Sequence, residues 1–349
     1  MHHYTLSLFS QVQSNGGCRS LRSFIIFTIF LILFLCYILA YESSQTWMST
    51  VGLYLPETAN WTEISAKPWK PPEPYYVAYP YNYTFIMNEP EKCQKENAFV
   101  VLMIPVAPSN VAARDAIRST WGSERLVGDK IVSVLFLLGL PTSQDSEKLQ
   151  EDLLQESEKY HDILQSDFWD SYYNLTIKTM VMLEWLSAHC QNTSYAMKVD
   201  ADIFLNVENL VTMLLSAPKQ NYMTGLVARG AWVLRNPLSK WYLPKKVYAP
   251  ARYPPYALGL GYVFSLDLTG KIVEAAQLVK PVYIEDVFVG LCMKHLGIAL
   301  TDPPDGSLFN VFPVNYNRCR YSKLIATTTR NLRDQIQFWR DLQTPGPYC

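Results

Sequence analysis

The sequence predicts an α/β domain built on a parallel sheet, preceded by one transmembrane helix and a stem, and three observations carry that reading. Apolar runs of strand length alternate with helical patterns between residues 98 and 199. A charge-free apolar stretch stands near the N-terminus, and the residues between the two regions are rich in proline and lack periodicity. At 349 residues, with 49% hydrophobic and 13% aromatic residues, the chain can bury one large core and still carry accessory segments. Lys and Arg total 30 against 31 Asp and Glu; the formal net charge of -1 offers no field for a phosphate backbone, so no nucleic-acid partner is expected.

Phe24 to Tyr41 contains no charged residue and as a helix spans ~27 Å, near the hydrocarbon thickness of a bilayer. Arg19 and Arg22 precede it, whereas Glu42 follows and the next basic residue is Lys67. That bias keeps residues 1–23 as a cytoplasmic tail, makes 24–41 a single-span signal anchor, and places the remainder on the lumenal or extracellular side. A cleaved signal peptide is the competing reading, but its apolar region is usually ~7 to 15 residues and no A-x-A site follows Ala40 cleanly. From 42 to 95, Pro56, Pro68, Pro71, Pro72, Pro74, Pro80 and Pro90 break any helix and predict an extended stem, although Tyr75, Tyr76, Tyr79 and Tyr81 are able to pack onto the next domain. Asn60, Asn82, Asn174 and Asn192 each open an acceptor sequon for an N-linked glycan, or else mark surface turns.

The domain at 96–349 opens with strands at Ala98 to Val106 and Ile131 to Leu138 and a helix between them at Val111 to Trp121. Asp162 to Leu164 suggests a short edge strand, Leu175 to Cys190 a helix, and Tyr195 to Val199 a strand ending in Asp200-Ala201-Asp202. In such sheets ligands bind at the carboxyl ends of strands, where these aspartates stand. In extended backbone, residues two apart point the same way, so Asp200 and Asp202 suit a hard divalent cation such as Mg2+ or Mn2+ that keeps positions for substrate phosphates. The plainer reading is a solvated turn, with Asn206 capping the next helix.

Five cysteines lie beyond the apolar stretch, so at least one has no partner within that part of the chain. Cys93 precedes the first strand and Cys190 the Asp-x-Asp strand; in a parallel sheet both sit at amino ends, and neighbouring strands would allow a bridge. Cys292 with Cys319 is the second expected pair, leaving Cys349 free or paired with another molecule.

Several motifs occur in order: Arg114-Asp115-Ala116-Ile117-Arg118-Ser119-Thr120-Trp121, Phe136 to Gly139, Lys198 to Asn206, Tyr253-Pro254-Pro255-Tyr256, Gly259-x-Gly261-Tyr262, and Ile284 to Gly290. Together they resemble the β1,3-galactosyltransferase and β1,3-N-acetylglucosaminyltransferase family over roughly Phe99 to Trp339. The resemblance implies a Golgi type II enzyme of GT-A fold that uses a UDP-sugar donor, a glycan acceptor on glycoprotein or glycolipid, and Mn2+, and inverts the sugar carbon. On this reading galactose passes from UDP-galactose to a terminal N-acetylhexosamine. N-acetylglucosamine transfer is the enzyme alternative, and a non-catalytic member that binds glycans or partner transferases is the other.

Carried onto these residues, the resemblance makes Asp200 and Asp202 metal and donor ligands. Arg114 and Arg118, four apart on a helix, either add to the field on the diphosphate or form a solvated face with Asp115. Glu285 and Asp286 supply the base, because adjacent acids raise one another's pKa; Asp286 is favoured, with capping of a helix from Val287 toward Lys294 as its competing role. Lys178 matches a segment near the donor site or is simply solvated. Trp232, Trp241 and Tyr242 either stack on sugars or belong to the core, and Gly259 and Gly261 let backbone approach the acceptor or sit in turns. Two departures stand out: Ala257 replaces a cysteine common in the family, and Thr327-Thr328-Thr329 stands where members tend to carry a histidine that helps bind metal.

Overall fold

The computed structural model describes residues 75–142 and 146–349, and these form one compact α/β unit. The tail, the apolar stretch at 24–41 and most of the stem lie outside the described residues; among those described, no helix is long and apolar enough to cross a membrane.

In chain order the strands are β1 (Phe85–Met87), β2 (Val100–Pro105), β3 (Leu126–Val127), β4 (Lys130–Leu140), β5 (Ile163–Trp169), β6 (Tyr195–Val199), β7 (Ile203–Leu205), β8 (Met223–Ala228), β9 (Tyr256–Ser265), β10 (Phe309–Asn310) and β11 (Ala326–Thr328). The helices are α1 (Lys92–Glu96), α2 (Val111–Arg118), α3 (Ser146–Tyr160), α4 (Leu175–His189), α5 (Val207–Leu215), α6 (Asp267–Ala276), α7 (Glu285–His295), α8 (Arg318–Tyr321) and α9 (Leu332–Gln343). The main sheet runs β1-β5-β4-β2-β6-β9-β8, with β3 beside β4. Its centre β5-β4-β2-β6 is parallel, as expected, whereas β1, β9 and β8 are antiparallel, so the sheet is mixed.

The apolar runs are uniform because both sheet faces are covered. Along β2, Val101 and Met103 pack with Met180, Trp185, Leu268 and Phe288 from α4, α6 and α7, while Val100, Leu102 and Ile104 pack with Ile117, Trp121, Leu210 and Leu214 around α2 and α5. Leu153 anchors α3 to the second face and is the single fully buried residue of that charged helix.

The structure corrects several expectations. The Asp162 strand is longer and is not an edge, since β1 covers its outer side; buried Gln165 interrupts its apolar pattern and is satisfied by the Gly139 carbonyl and Gln150. Strand β1, helix α1 and Tyr75 fall inside the stretch read as stem and belong to the folded unit. Gly259 and Gly261 lie within β9 rather than in turns. On α7, a Cβ at Gly290 would stand 2.5 Å from the Tyr256 Cβ, so glycine there lets the helix lie directly on β9.

Cys93 and Cys190 form a disulfide with Cα atoms 5.1 Å apart, as expected from the neighbouring strands β2 and β6. The second expected pair is wrong. Cys319 bonds Cys349, while Cys292 is free and fully buried within α7; the tail reaches α8 because Arg318 bonds the Thr344 carbonyl and lies over the Tyr348 ring. Cys292 is therefore expected to resist alkylation in the native protein and to react only after denaturation, while the Cys93 and Cys190 peptides stay linked without reductant. Replacing both Cys93 and Cys190 with serine should cost about 2–5 kcal/mol by denaturant titration.

Candidate active site

The site grows from the carboxyl end of β6. The Ile203 N–H donates to the Asp200 carbonyl, closing a tight turn that carries both aspartates; the segment is a turn rather than extended backbone. β7 follows at once and pairs antiparallel with β11, Ile203 opposite Thr328. Thr329 is thereby placed beside Asp202, and its N–H and hydroxyl both donate to the Asp202 carbonyl at 2.9 Å.

At the centre stands Lys198, which the sequence reading quoted only as part of a motif. Its ammonium is buried and donates to Asp200 Oδ1 at 2.7 Å, the Gly259 carbonyl at 2.5 Å and Glu285 Oε1 at 3.0 Å. Burial opposes its charge, but Asp200 and Glu285 more than offset this and raise its pKa. The available signal was parity: Lys198 and Asp200 are two apart at a strand end, so they share a side.

Glu285 is spent within the fold. Its other oxygen accepts from Tyr262 Oη at 3.0 Å and from Thr179 Oγ1 at 3.3 Å, so both oxygens are occupied. Asp286 differs. It is partly exposed, its Oδ1 accepts from the Val287 N–H at 2.8 Å and its Oδ2 from the Gly259 N–H at 2.9 Å. The helix starts two residues earlier than expected, with Ile284 as N-cap, so Asp286 lies in its first turn and does not cap it. Burial and the neighbouring Glu285 charge push Asp286 up to about 7, against the pull of Gly259, Lys198 and Val287. A Cβ on Gly259 would come within 2.9 Å of Glu285 Oε1 and 3.5 Å of Asp286 Oδ2, so the close approach foreseen at this glycine is made by the chain's own carboxylates.

Asp202 is raised by burial and by the charge of Asp200. Two carboxylates held near one another suit a divalent cation that draws its remaining ligands from water and phosphate. The Thr328 and Thr329 hydroxyls donate to the Val311 and Asp202 carbonyls. Among the described residues, no group of three or more His, Cys, Asp or Glu is placed to hold a metal.

The remaining expected donor residues are placed elsewhere. Arg114 is fully buried, bidentate to Glu156 at 2.7 Å and bonded to the Ala107 and Pro108 carbonyls. Arg118 pairs with Asp162, Glu156 and Asp115. The two arginines do share a face, but α3, which the sequence reading did not include, delivers Glu156 to them and takes their charge. Lys178 is neither solvated nor open to a ligand: buried, it bonds the Val106 carbonyl at 2.9 Å and Asp170 at 2.7 Å, tying the ends of β2 and β5. Trp232 and Trp241 are exposed rather than in the core, with Arg252 over one ring and Lys240 over the other.

Comparisons with known proteins agree with the motif order. The chain is 42% identical over 266 residues to beta-1,3-galactosyltransferase 2 of Homo sapiens, covering 75% of this chain and 63% of that protein, so it spans less than two thirds of that relative's length. It is 37% identical over 268 residues to beta-1,3-galactosyltransferase 1 of Mus musculus, covering 76% of this chain and 80% of that protein. A solved galactosyltransferase in complex with donor and acceptor sugar analogs superposes over 70% of this chain and 97% of its own, with 11% identity and a TM-score of 0.36, too distant to bear on function. The galactosyltransferase family profile matches residues 112–304, which take in the Asp200 turn, β9 and the Glu285-Asp286 helix start, and the chain belongs to that family.

Proposed function

We propose that the chain is an inverting β1,3-galactosyltransferase of GT-A type, moving galactose from UDP-galactose to a terminal N-acetylhexosamine of a glycoprotein or glycolipid glycan. It works as a single-pass type II protein on the lumenal side of a Golgi membrane. The observation that carries this reading is the pairing of a buried Glu285, held by three side chains, with a partly exposed Asp286, held only by two backbone N–H groups, beside the Asp200 turn.

The acceptor hydroxyl attacks the anomeric carbon from the face opposite UDP, its oxygen forms the new bond, and UDP leaves with the electron pair of the old one. Asp286 receives the hydroxyl proton. Its raised pKa suits this near neutrality, because a base is most effective when its pKa lies near the working pH. Glu285 has no such freedom; it holds Lys198, which in turn orients Asp200. Asp202, with the Asp200 oxygen not bonded to Lys198, would hold Mn2+, which when bound offsets the charge growing on UDP.

Asp202→Asn is expected to keep the fold and lose most metal-dependent UDP binding; unchanged UDP affinity by calorimetry with Mn2+ present would remove Asp202 from the metal site. Asp286→Asn should lower turnover ~100- to 10,000-fold while UDP binding stays near wild type. Since Asp286 acts ionised, wild-type kcat/KM should fall as pH drops below about 7. Because the raised carboxyl keeps its proton in the folded state longer than in the unfolded chain, wild-type stability should fall as pH climbs from 3.8 to about 7, and Asp286→Asn should lose that part of the slope in a pH series of melting curves. Retention of half the wild-type turnover would sink Asp286 as base. Screening UDP-hexoses against tagged acceptors separates galactose from N-acetylglucosamine transfer, and no transfer with any donor would favour the non-catalytic reading.

A further inference from the structure

Tyrosines from four chain segments meet beside the carboxylates. Tyr75 stacks on Tyr283 with centroids 5.5 Å apart and 27° between planes, and packs on Tyr242 and Tyr173 at 5.7 and 6.2 Å. Tyr173 lies 5.2 Å from Tyr283, and Tyr172 touches both, at 6.1 Å from Tyr173 and 6.4 Å from Tyr283. Tyr283 is buried, stands two residues before Glu285, and donates to the Lys240 and Tyr242 carbonyls at 2.9 Å. It is the hub that joins the start of α7, the loop around Trp241, the turn before α4 and the segment that leads into the sheet.

Tyr172 is the outlying member of this group. It is 42% exposed, so its ring is not there to fill the core. Its ring packs edge-on against Tyr283, three residues before Asp286, which places it at the start of α7; burial, and then the charges of Asp286, Glu285 and Asp200, raise its pKa above the tyrosine value. A neutral hydroxyl at the mouth of a carboxylate site is a hydrogen-bond donor, and an oxygen of a bound sugar is the natural acceptor there.

We propose that Tyr172 is a substrate-contacting residue that donates to an oxygen of the acceptor sugar beside Asp286, and that Tyr75 is its positioning residue through Tyr283 and Tyr173. The inference rests on the transferase reading above. It makes the segment before β1 a wall of the acceptor subsite. The acceptor, not the donor, is assigned because Tyr172 is half exposed and packs on Tyr283, which leads directly into the helix start that carries Asp286, the base that meets the acceptor hydroxyl in the reading above.

The test uses the full chain with UDP-galactose, Mn2+ and a tagged N-acetylglucosamine acceptor. Tyr172→Phe keeps the ring and removes the donor; the acceptor KM should rise about tenfold while the UDP-galactose KM and the slow hydrolysis of donor by water stay within twofold. Tyr75→Ala should move the acceptor KM the same way, and Tyr75→Phe, which keeps the ring contacts, should restore it. An unchanged acceptor KM in Tyr172→Phe, or a donor KM that rises equally, overturns the assignment. Tyr75→Phe behaving as Tyr75→Ala overturns the positioning role. Absence of transfer and of donor hydrolysis in the wild-type protein would instead defeat the transferase reading, before any variant is compared.

Discussion

Lys198 is the constraint around which the site is arranged. A buried ammonium is costly unless its donors are met by charge and hydrogen bonds, and three acceptors from three elements meet this one: Asp200 after β6, the Gly259 carbonyl in β9 and Glu285 at the start of α7. Satisfying one cation thus sets the spacing between the Asp200 turn and the helix that carries Asp286. Removing either carboxylate would leave a buried charge short of a partner, so the turn and the helix start are coupled electrostatically as well as through the sheet.

The same arrangement separates two adjacent acids into different roles. Glu285 points into donors and serves as a fixed counter-charge; Asp286 keeps some exposure, and burial together with its neighbour's field raises its pKa. Adjacent residues at a helix start face different ways because the helix turns by about 100° per residue, so one backbone position supplies a structural ion and the next a titrating group. The closeness of β9 makes this possible, since Gly259 and Gly290 remove the side chains that would keep the helix from the strand.

The parallel centre of the sheet, the Asp-x-Asp at a strand end and the Cys93–Cys190 bridge were legible in the sequence, because each follows from short apolar runs and the geometry of neighbouring strands. Strand β9 was hidden: two glycines and a Tyr-Pro-Pro entry resemble turns, whereas Gly259 makes room for the carboxylates of α7 and Gly261 for Met197 of β6. Helix α3 buries one residue fully and is otherwise charged, so it gives little pattern, yet it brings the Glu156 that claims Arg114 and Arg118. Of the site, the residue types were readable and their partners were not. Whether a carboxylate is spent or available depends on contacts across more than a hundred residues, as with Thr179 and Glu285, and periodicity does not report those.

Behind Asp202, the Ile203 carbonyl accepts both the Trp121 indole N–H and the Gln335 amide, each at 3.0 Å. An oxygen with both lone pairs filled by buried donors has little freedom to rotate, and its peptide cannot swing without breaking two bonds at once. The turn bearing the two aspartates is therefore braced on its inner side, where Ile203 follows Asp202 directly. On the transferase reading proposed above, the aspartate turn meets its ligand as a surface already set in place from behind.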